Sequence, residues 1–319
     1  MTLESKLLRF KEIGFSGIQF HDDDAVPEMN DLSEDQIIAS ADELKAHLDG
    51  LGLEAEFVAP RLWMDPRTAA GGFTSNSRED REFALWRSLR SIDIAKRLGT
   101  NRIVLWLARE GTLCAESKDP VEALGRLREA VNAMLAYDPE IRILIEPKPN
   151  EPIDRSFVPT AGHVLGFASG TTDPSRVGVL IESAHAVLAG LDPAFEMAFS
   201  LAHGKLWGVH LNDQNGLRYD QDKSFGAENL RSAFNQVKVL MENGYGGAGE
   251  YVGLDVKAMR TQTLEHSYQH LENSLRMVKL LEDKVRKIDS VRVGELVQAR
   301  NYEAVEMYML ELLLGAAEK

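Results

Sequence analysis

The chain has 319 residues, of which 44% are apolar and 27% charged, and its formal net charge is −14. This length suits one large domain, such as an α/β barrel of about 250 residues with appendages, or two smaller domains. The negative charge argues against nucleic acids and acidic membranes as partners, and it suits a protein that binds divalent cations.

The cysteine content and the N-terminal stretch bear on the cellular compartment. Cys114 is the one cysteine, so an internal disulfide is excluded and the chain is compatible with a reducing cytosol. Residues 1–13 are charged and amphipathic, whereas a signal peptide has an apolar core behind a basic start. No apolar run approaches the ~18 residues of a membrane span. We therefore expect a cytoplasmic protein that has no membrane partner.

Strand and helix patterns alternate along the chain. The predicted strands are 17–20, 53–58, 102–107, 141–146, 177–181, 206–210 and 251–257. The predicted helices are 1–13, 33–51, 79–98, 121–137, 160–168, 193–202 and 227–243, and the chain from 261 to 317 is predicted to be helical. Alternation at this spacing is typical of a parallel sheet built from βα units.

The segment 143–152, I-L-I-E-P-K-P-N-E-P, is the most distinctive stretch of the sequence. Its apolar start predicts a buried strand, and the three prolines that follow fix φ near −65°. Glu146, Lys148 and Glu151 are therefore held on a stiff turn at the end of a strand. We interpret this arrangement as a site for a cation and an oxyanion, and the alternative is a surface loop with two solvated acids.

Charged and imidazole side chains also occupy the ends of the other predicted strands. Together with the proline segment they are His21, Asp24, Glu146, Lys148, Glu151, Glu182, His185, His210, Asp220, Asp222 and Asp255. In a (β/α) barrel the strand ends converge on the face that carries the active site. Oxygen ligands with one or two imidazoles suit Mg²⁺, Mn²⁺ or Co²⁺. Their common position predicts a divalent-metal site.

Several of these stretches resemble the shorter class of xylose isomerases. They are F-H-D-D-D (20–24), G-G-F-T-S-N (71–76), W-L-A-R-E-G (106–111), I-E-P-K-P-N-E-P (145–152), E-S-A-H (182–185), L-N-D-Q-N-G (211–216), Y-D-Q-D-K-S-F-G (219–226) and L-D-V-K-A-M-R-T (254–261). The match is collinear over about residues 1–280. The resemblance implies a TIM barrel that interconverts an aldose and a ketose with two bound divalent metal ions, Mg, Mn or Co.

The resemblance also implies two metal-ligand sets that share one residue. The structural set is Glu146, Glu182, His210 and Asp255, and the catalytic set is Glu182, His185, Asp220 and Asp222. Glu182 would therefore bridge the two ions. The implied reaction is a hydride shift between C2 and C1, during which the metals polarise the two sugar oxygens.

Further site residues carry over from the same resemblance. His21, oriented by Asp24, would act in ring opening, and Lys148 would hold the C1 oxygen of the sugar. Trp63 and Trp106 would form the wall of the substrate pocket, to which we also assign Lys257. Without the resemblance these residues have simpler explanations. His21 would be a solvated strand-end residue, the tryptophans core aromatics, and the lysines surface partners of Glu151 and Asp255.

The chain departs from the family pattern at some positions. His210 stands where the family has aspartate, which removes one negative charge and favours Mn²⁺ or Co²⁺ over Mg²⁺. Asp213, where the family has glycine, is predicted to restore charge near this site. Trp63 stands where the family usually has phenylalanine. A histidine at the position of His210 also resembles one-metal ketose 3-epimerases.

The N-terminus is shorter than that of the family, whose first strand is missing here. We expect an α/β TIM barrel with seven recognisable strands, divided into a catalytic domain (1–284) and a helical C-terminal tail (285–319). The open edges must be covered by direct strand pairing, by the tail or by a second subunit. Because the tail is apolar on one face, we expect a homo-oligomer, a dimer rather than a tetramer.

The expected function is conversion of D-xylose to D-xylulose, and also of D-glucose to D-fructose, by a cytoplasmic intramolecular oxidoreductase of carbohydrate metabolism. One alternative is a related metal-dependent epimerase or isomerase with another sugar substrate. A second alternative is a catalytically impaired barrel that acts as a binding subunit. The presence together of His21, Lys148, His185, Asp220 and Asp222 argues against that second alternative.

Overall fold

Seven parallel strands form a nearly closed barrel in the computed structural model, which describes residues 2–217 and 219–316. The strands of these residues are β1 (Gly17–His21), β2 (Glu54–Ala59), β3 (Arg102–Trp106), β4 (Gly111–Thr112), β5 (Arg142–Glu146), β6 (Arg155–Ser156), β7 (Val177–Glu182), β8 (Leu206–His210) and β9 (Val252–Gly253). The barrel order is β1-β2-β3-β5-β7-β8-β9, and β4 pairs antiparallel with β6 in a separate ribbon. This confirms the predicted (β/α) barrel.

Helices follow most of the strands and surround the sheet. In the described residues they are α1 (Leu3–Ile13), α2 (Asp22–Ala25), α3 (Glu34–Leu51), α4 (Arg78–Arg97), α5 (Pro120–Tyr137), α6 (Ala161–Ser169), α7 (Ser183–Leu188), α8 (Pro193–Ala202), α9 (Leu230–Glu242), α10 (Gln269–Arg286), α11 (Ser290–Gln298) and α12 (Tyr302–Leu314). None of these helices combines the length and the apolar character that crossing a bilayer requires.

Several helices begin and end at residues that are typical of helix caps. The Ser33 hydroxyl accepts a hydrogen bond from the Gln36 N–H, and the Gln36 side chain accepts one from the Ser33 N–H. This capping box starts α3, and Gly52 ends it with φ of 62°, a left-handed conformation that suits glycine. Asp119 caps α5, where Pro120 takes the first helical position.

The strand register brings the predicted site residues to one edge of the barrel. Trp106 pairs with Glu146, Glu182 pairs with His210, and His210 pairs in turn with Gly253. Each of these five residues is the last of its strand. The carboxyl ends of the strands therefore lie side by side, on the face where barrel enzymes have their active sites.

Two groups of apolar side chains hold this scaffold together. The larger group packs the outer face of the sheet against the helices, and it includes Ile92 and Ile94 of α4 and Val131 of α5. The smaller group consists of Phe57, Ala59, Val104, Leu144, Leu180 and Trp207. Because three of its members also line the central cavity, the smaller group fills the interior of the barrel.

The last strand is shorter than the sequence predicts. Of residues 251–257, only β9 pairs with β8, so Asp255 lies in the loop that follows. No ladder joins β9 to β1 in the described part of the chain. Instead the Tyr251 ring packs against Gly17, where a Cβ would lie 2.7 Å from ring atom Cε1, and its hydroxyl donates to Glu54. A strand with a hydrogen-bonded neighbour on one side only is held extended over a shorter length.

The predicted helical segment from 261 to 317 consists of three helices in the described residues 269–314, and residues 264–266 form a short 3₁₀ turn before them. The side chains of Asp289 and Asn301 cap α11 and α12, and each cap starts a new helix. The tail packs on its own chain: Leu312 is 2% exposed, and Glu306 lies 2.6 Å from Arg231 of α9. The predicted tail boundary at 284/285 lies within the last turn of α10.

Candidate functional site

A cavity of about 330 Å³ opens at the carboxyl ends of the strands. Eleven of the predicted site residues line it: His21, Trp63, Trp106, Glu146, Glu182, His185, His210, Asp220, Asp222, Asp255 and Lys257. The other two, Asp24 and Lys148, lie behind this lining and contact it through His21 and Asp220. The fold thus brings together residues that are up to 236 positions apart in the sequence, from His21 to Lys257.

Glu182 lies at the centre of the acidic side chains. Its carboxylate belongs to three groups whose ligand atoms lie within 4.8 Å of one another. The partners of Glu182 are Glu146 with His185 in the first group, His210 with Asp255 in the second, and Asp220 with Asp222 in the third. A divalent cation fits these groups of donors, which are mainly oxygen atoms.

The two imidazoles lie on opposite carboxylate oxygens of Glu182. His185 Nε2 lies 3.2 Å from Glu182 Oε1 and 3.2 Å from Asp220 Oδ2. His210 Nδ1 lies 3.6 Å from Glu182 Oε2 and 3.4 Å from Glu146 Oε1. Both imidazoles also lie near Glu146 Oε1, which is 3.6 Å from His185 Nδ1 and 3.4 Å from His210 Nδ1.

Several buried atoms of these residues have no hydrogen-bond partner among the described residues. They are His185 Nδ1, both ring nitrogens of His210, and Asp220 Oδ1. Buried polar atoms in proteins are nearly always paired, and metal coordination satisfies such atoms. The donor set therefore fits divalent cations.

Two carboxyl groups of the cluster have raised pKa values. Burial and the charges of Asp255, Asp220 and Glu146 raise the pKa of Glu182 well above its usual value. Burial and the charge of Asp220 raise the pKa of Asp222 to about 6. Excess negative charge of this kind is relieved when a cation binds.

The imidazoles and lysines compensate only part of that charge. Although burial opposes the shift, the charge of Glu146 raises the pKa of His210 to about 9. Against the same opposition from burial, His210 lowers the pKa of Glu146 to about 2. Burial likewise opposes the effect of His185 and Lys148, which lower the pKa of Asp220 below its usual range. His210 and Glu146 therefore each favour the charged form of the other.

Lys148 is a buried partner of the cluster and not a surface residue. Its side chain is 4% exposed, and its Nζ lies 2.7 Å from Asp220 Oδ2 and 3.4 Å from Glu151 Oε2. Its Nζ also lies 5.0 Å from the centre of the Trp106 ring. The expected surface pair with Glu151 is therefore the weaker of its two contacts.

Lys257 pairs with Asp222, so the surface pair that we considered between Lys257 and Asp255 is not the one formed. The Lys257 side chain is 65% exposed, and its backbone N–H donates to the Asp222 carbonyl oxygen at 2.7 Å. Asp222 has φ of 45°, a left-handed conformation that costs a residue with a Cβ roughly 1–2 kcal/mol. Strain of this size is concentrated at functional sites.

His21 and the two tryptophans form one wall of the cavity. His21 Nδ1 lies 3.3 Å from Asp24 Oδ2. The Trp63 ring meets His21 edge-on at 4.9 Å between ring centres, and it meets Trp106 in the same way at 4.5 Å. Because both tryptophans are only half-buried and face the cavity, they are wall residues and not core aromatics.

Asn212 is a buried polar residue of the site whose role the sequence does not predict. Its side-chain NH₂ lies 3.0 Å from Glu182 Oε1, Asp222 Oδ1 and the Asp255 carbonyl oxygen. Its own oxygen accepts a hydrogen bond from the Ala184 N–H at 2.8 Å. The available signal was its position two residues after the end of β8.

Asp213 is buried in the loop after β8, close in the chain to His210, and its proposed contribution of charge near the site stays a prediction. Its carboxylate accepts hydrogen bonds from the backbone N–H groups of Gln214, Glu228 and Asn229. These bonds join the loop after β8 to the start of α9. Its charge therefore stabilises a loop, and Asp213 belongs to none of the three groups around Glu182.

Several solved structures that are described as sugar epimerases or as similar to them share this fold. A D-tagatose 3-epimerase-like protein superimposes with a TM-score of 0.66 and 17% identity, over 89% of this chain and 96% of its own. An apo 3-keto-D-glucoside 4-epimerase from E. coli gives 0.66 and 14%, over 88% and 94% of the two chains. An L-ribulose 3-epimerase gives 0.65 and 16%, over 94% and 95%. At these identities the likeness concerns the fold.

The sequence itself matches a family profile. The profile described as xylose isomerase-like TIM barrel covers residues 7–269. This range includes every strand of the barrel and all of the predicted site residues. The chain therefore belongs to the xylose isomerase-like TIM barrel family.

Proposed function

We propose that this protein is a metal-dependent aldose–ketose isomerase, with D-xylose and D-xylulose as the first substrate pair and D-glucose and D-fructose as the second. The observation that carries the proposal is the position of Glu182 between two sets of cation ligands. Family membership supports a sugar as the substrate. The cavity of about 330 Å³ is the size of a small-molecule site.

Two divalent cations, Mg²⁺, Mn²⁺ or Co²⁺, would be held by the residues around Glu182. The first set is Glu146, Glu182, His210 and Asp255, and the second is Glu182, His185, Asp220 and Asp222. When bound, the ions supply Lewis acidity to two neighbouring oxygens of the sugar. Asn212 supports both sets, because it donates to carboxylates of each.

The residues of the wall would prepare the sugar for reaction. With Nδ1 of His21 directed at Asp24, Nε2 is the atom that can take or give a proton during ring opening. Trp63 and Trp106 cover the cavity with apolar surface and keep water away from the reacting carbons. Lys148 lies beside Asp220, from where its ammonium can stabilise a negatively polarised sugar oxygen.

A sugar epimerase that uses one cation is the second candidate. His210 favours it, because its Nδ1 faces both Glu146 and Glu182 and gives the first set a histidine in place of a fourth carboxylate. In that case His185, Asp220 and Asp222 would serve substrate binding. The reaction would invert a carbon next to the carbonyl group of a ketose.

One assay separates the two candidates. Purified protein is stripped of metal, loaded with Mn²⁺, Co²⁺ or Mg²⁺, and incubated with D-xylose, D-glucose, D-fructose and D-tagatose, and the products are separated by chromatography. Ketose formed from aldose, with two ions bound per chain, supports the isomerase. Epimers formed from ketoses alone, with one ion per chain, contradict it and support the epimerase. A lack of conversion with any sugar would favour the binding-subunit alternative.

The single exposed cysteine fits a reducing compartment, so we place this activity in the cytoplasm.

A further inference from the structure

A chain of ion pairs leads from the core of the protein to His21. It begins at Arg87 of α4, whose guanidinium binds the Asp22 carboxylate at 2.6 and 2.7 Å, with both side chains at least 96% buried. Arg87 also reaches Asp23 at 3.2 Å. Arg61, in the loop after β2, continues the chain with Nε 2.6 Å from Asp23 and Nη2 2.6 Å from Asp24.

Arg61 contacts both neighbours of the His21 ring. The Asp24 oxygen that accepts from Arg61 is Oδ2, the same atom that lies 3.3 Å from His21 Nδ1. The Arg61 guanidinium also lies 5.5 Å from the centre of the Trp63 ring, which meets His21 edge-on. The charged or titratable groups that act on Asp24 are His21, Arg61 and Lys6.

The position of Arg61 is itself fixed from the core. Its backbone N–H donates to Asp22 Oδ1 at 3.1 Å, and the same oxygen accepts from Arg87. The loop that carries Arg61 and Trp63 is thus tied to α4 through one buried carboxylate. Asp24, by contrast, has a side chain that is 54% exposed, so the fold itself gives its carboxylate little support.

We propose that Arg61 is a positioning residue for His21. Arg61 holds Asp24 and Trp63 on two sides of the His21 ring and so keeps the N–H on Nδ1. This inference rests on the acid–base role of His21 in the proposed function. A planar guanidinium binds two carboxylates and stacks near an aromatic ring at the same time. Lysine carries the charge but cannot bridge two carboxylates in a fixed plane, so charge alone does not replace Arg61.

The test compares Arg61→Gln and Arg61→Lys with the matched control Arg67→Gln. Arg67 lies in the same loop and binds Asp65, and it contacts neither His21 nor Asp24. In Arg61→Gln we expect kcat to fall about 10- to 100-fold, because a small displacement of a reacting group costs this much. KM and the affinity for Mn²⁺, measured by calorimetry, should each change less than about threefold, since Arg61 lies outside the ligand sets. Arg61→Lys should be intermediate, and Arg67→Gln should match the wild type.

A second readout is independent of turnover. Nitrogen-15 NMR of the imidazole rings, with the His21 signal assigned from a His21→Gln variant, reports which ring nitrogen carries the proton. We expect wild-type His21 to hold it on Nδ1 and Arg61→Gln to show a mixture of both tautomers. An unchanged tautomer together with wild-type kcat in both Arg61 variants would overturn the proposal.

The two readouts separate this inference from the proposed function. If no sugar is converted by the wild type, the proposed function fails, and the tautomer in the folded Arg61→Lys variant still decides the role of Arg61. If sugar is converted but Arg61→Gln and Arg61→Lys both retain the wild-type kcat and the Nδ1 tautomer, the inference alone fails.

Discussion

Glu182 is the residue on which the candidate site depends most. It is buried, it ends β7, and its two oxygens face different imidazoles. Burial and the nearby carboxylates raise its pKa, so an ionised Glu182 is costly without a positive charge beside it. A carboxylate that is buried among other carboxylates lowers the stability of the fold, and its use is to bind a cation.

Replacing Glu182 should therefore change cation binding and stability in opposite directions. We expect Glu182→Gln to weaken Mn²⁺ binding at least ~100-fold, more than the loss of an outer-shell partner. In the presence of a chelator the same variant should melt at a higher temperature than the wild type, because a neutral amide replaces a carboxylate with a raised pKa. Calorimetry and thermal melts test this, with Glu151→Gln as the control. A variant that keeps its Mn²⁺ affinity would contradict the shared-ligand arrangement.

Cation binding should also depend on pH. The pKa of Asp222 is raised to about 6 and that of His210 to about 9, so the metal-free site retains protons that a cation must displace. The apparent Mn²⁺ affinity should therefore increase as the pH is raised from 5 to 9. The dependence on pH should be steepest below pH 6, where Asp222 is protonated. Titrations in buffers of different ionisation enthalpy should show proton release at pH 7. An affinity that does not change over this range would exclude His210 and Asp222 as ligands.

At the scale of elements, the buried pair of Arg87 and Asp22 joins α4 to the end of β1. Both guanidinium nitrogens that face the carboxylate are used, and the Ser91 hydroxyl adds a contact at 3.2 Å to Asp22 Oδ2. The pair supports the turn that carries His21 and, through Arg61, the loop that carries Trp63. A break here would therefore affect both the fold and the site wall.

Removing one partner of this pair should be strongly destabilising. Arg87→Met leaves the Asp22 charge buried without its cationic partner, and we expect a loss of about 3–5 kcal/mol in the free energy of unfolding. Urea denaturation measures this loss. The control is Arg78→Met at the exposed start of the same helix, which should leave the unfolding midpoint unchanged. A midpoint for Arg87→Met equal to that of the wild type would show that the pair contributes little to stability.

At the scale of the whole molecule, the tail is partly buried on its own chain and partly apolar toward solvent. Tyr308 and Leu312 are buried, and the Tyr308 hydroxyl accepts a hydrogen bond from the Asp289 N–H. Val291, Tyr302, Met307, Val297, Leu310 and Leu314 are exposed. These residues lie on the two consecutive helices α11 and α12, and contiguous patches of exposed apolar side chains are typical of protein interfaces. The homodimer that the sequence suggests remains a prediction.

Light scattering at micromolar concentration tests that prediction. We expect a dimer for the wild type and a folded monomer for the double variant Met307→Glu with Leu314→Glu, because buried charge opposes association. Val121→Glu, an exposed apolar position on α5, is the matched control and should stay dimeric. A chain that ends at Lys284 should lose stability, since it lacks the buried Tyr308 and Leu312. A monomeric wild type would contradict the prediction.

The sequence by itself determined the features that depend on neighbouring residues. The capping box of Ser33 and Gln36 sets the start of α3, and strand ends are recognisable where apolar runs meet His21, Glu146 or Glu182. In a parallel barrel these ends must converge, so the composition of the site followed from the position of each residue in its βα unit. Hydrogen bonds within a helix turn and the alternation along a strand are local, which is why sequence patterns predict them.

Only the tertiary structure decided which charged side chains pair with each other. Lys148 binds Asp220, 72 residues away, and Asn212 joins carboxylates of both ligand sets. The length of β9 depended on whether it pairs with β1. In the described residues no ladder joins these two strands, and the Tyr251 ring packs against Gly17 of β1 instead. Long-range pairs of this kind depend on a few ångströms of packing between distant elements. Many lysines and carboxylates are compatible with the sequence pattern, and the packed barrel selects one partner for each.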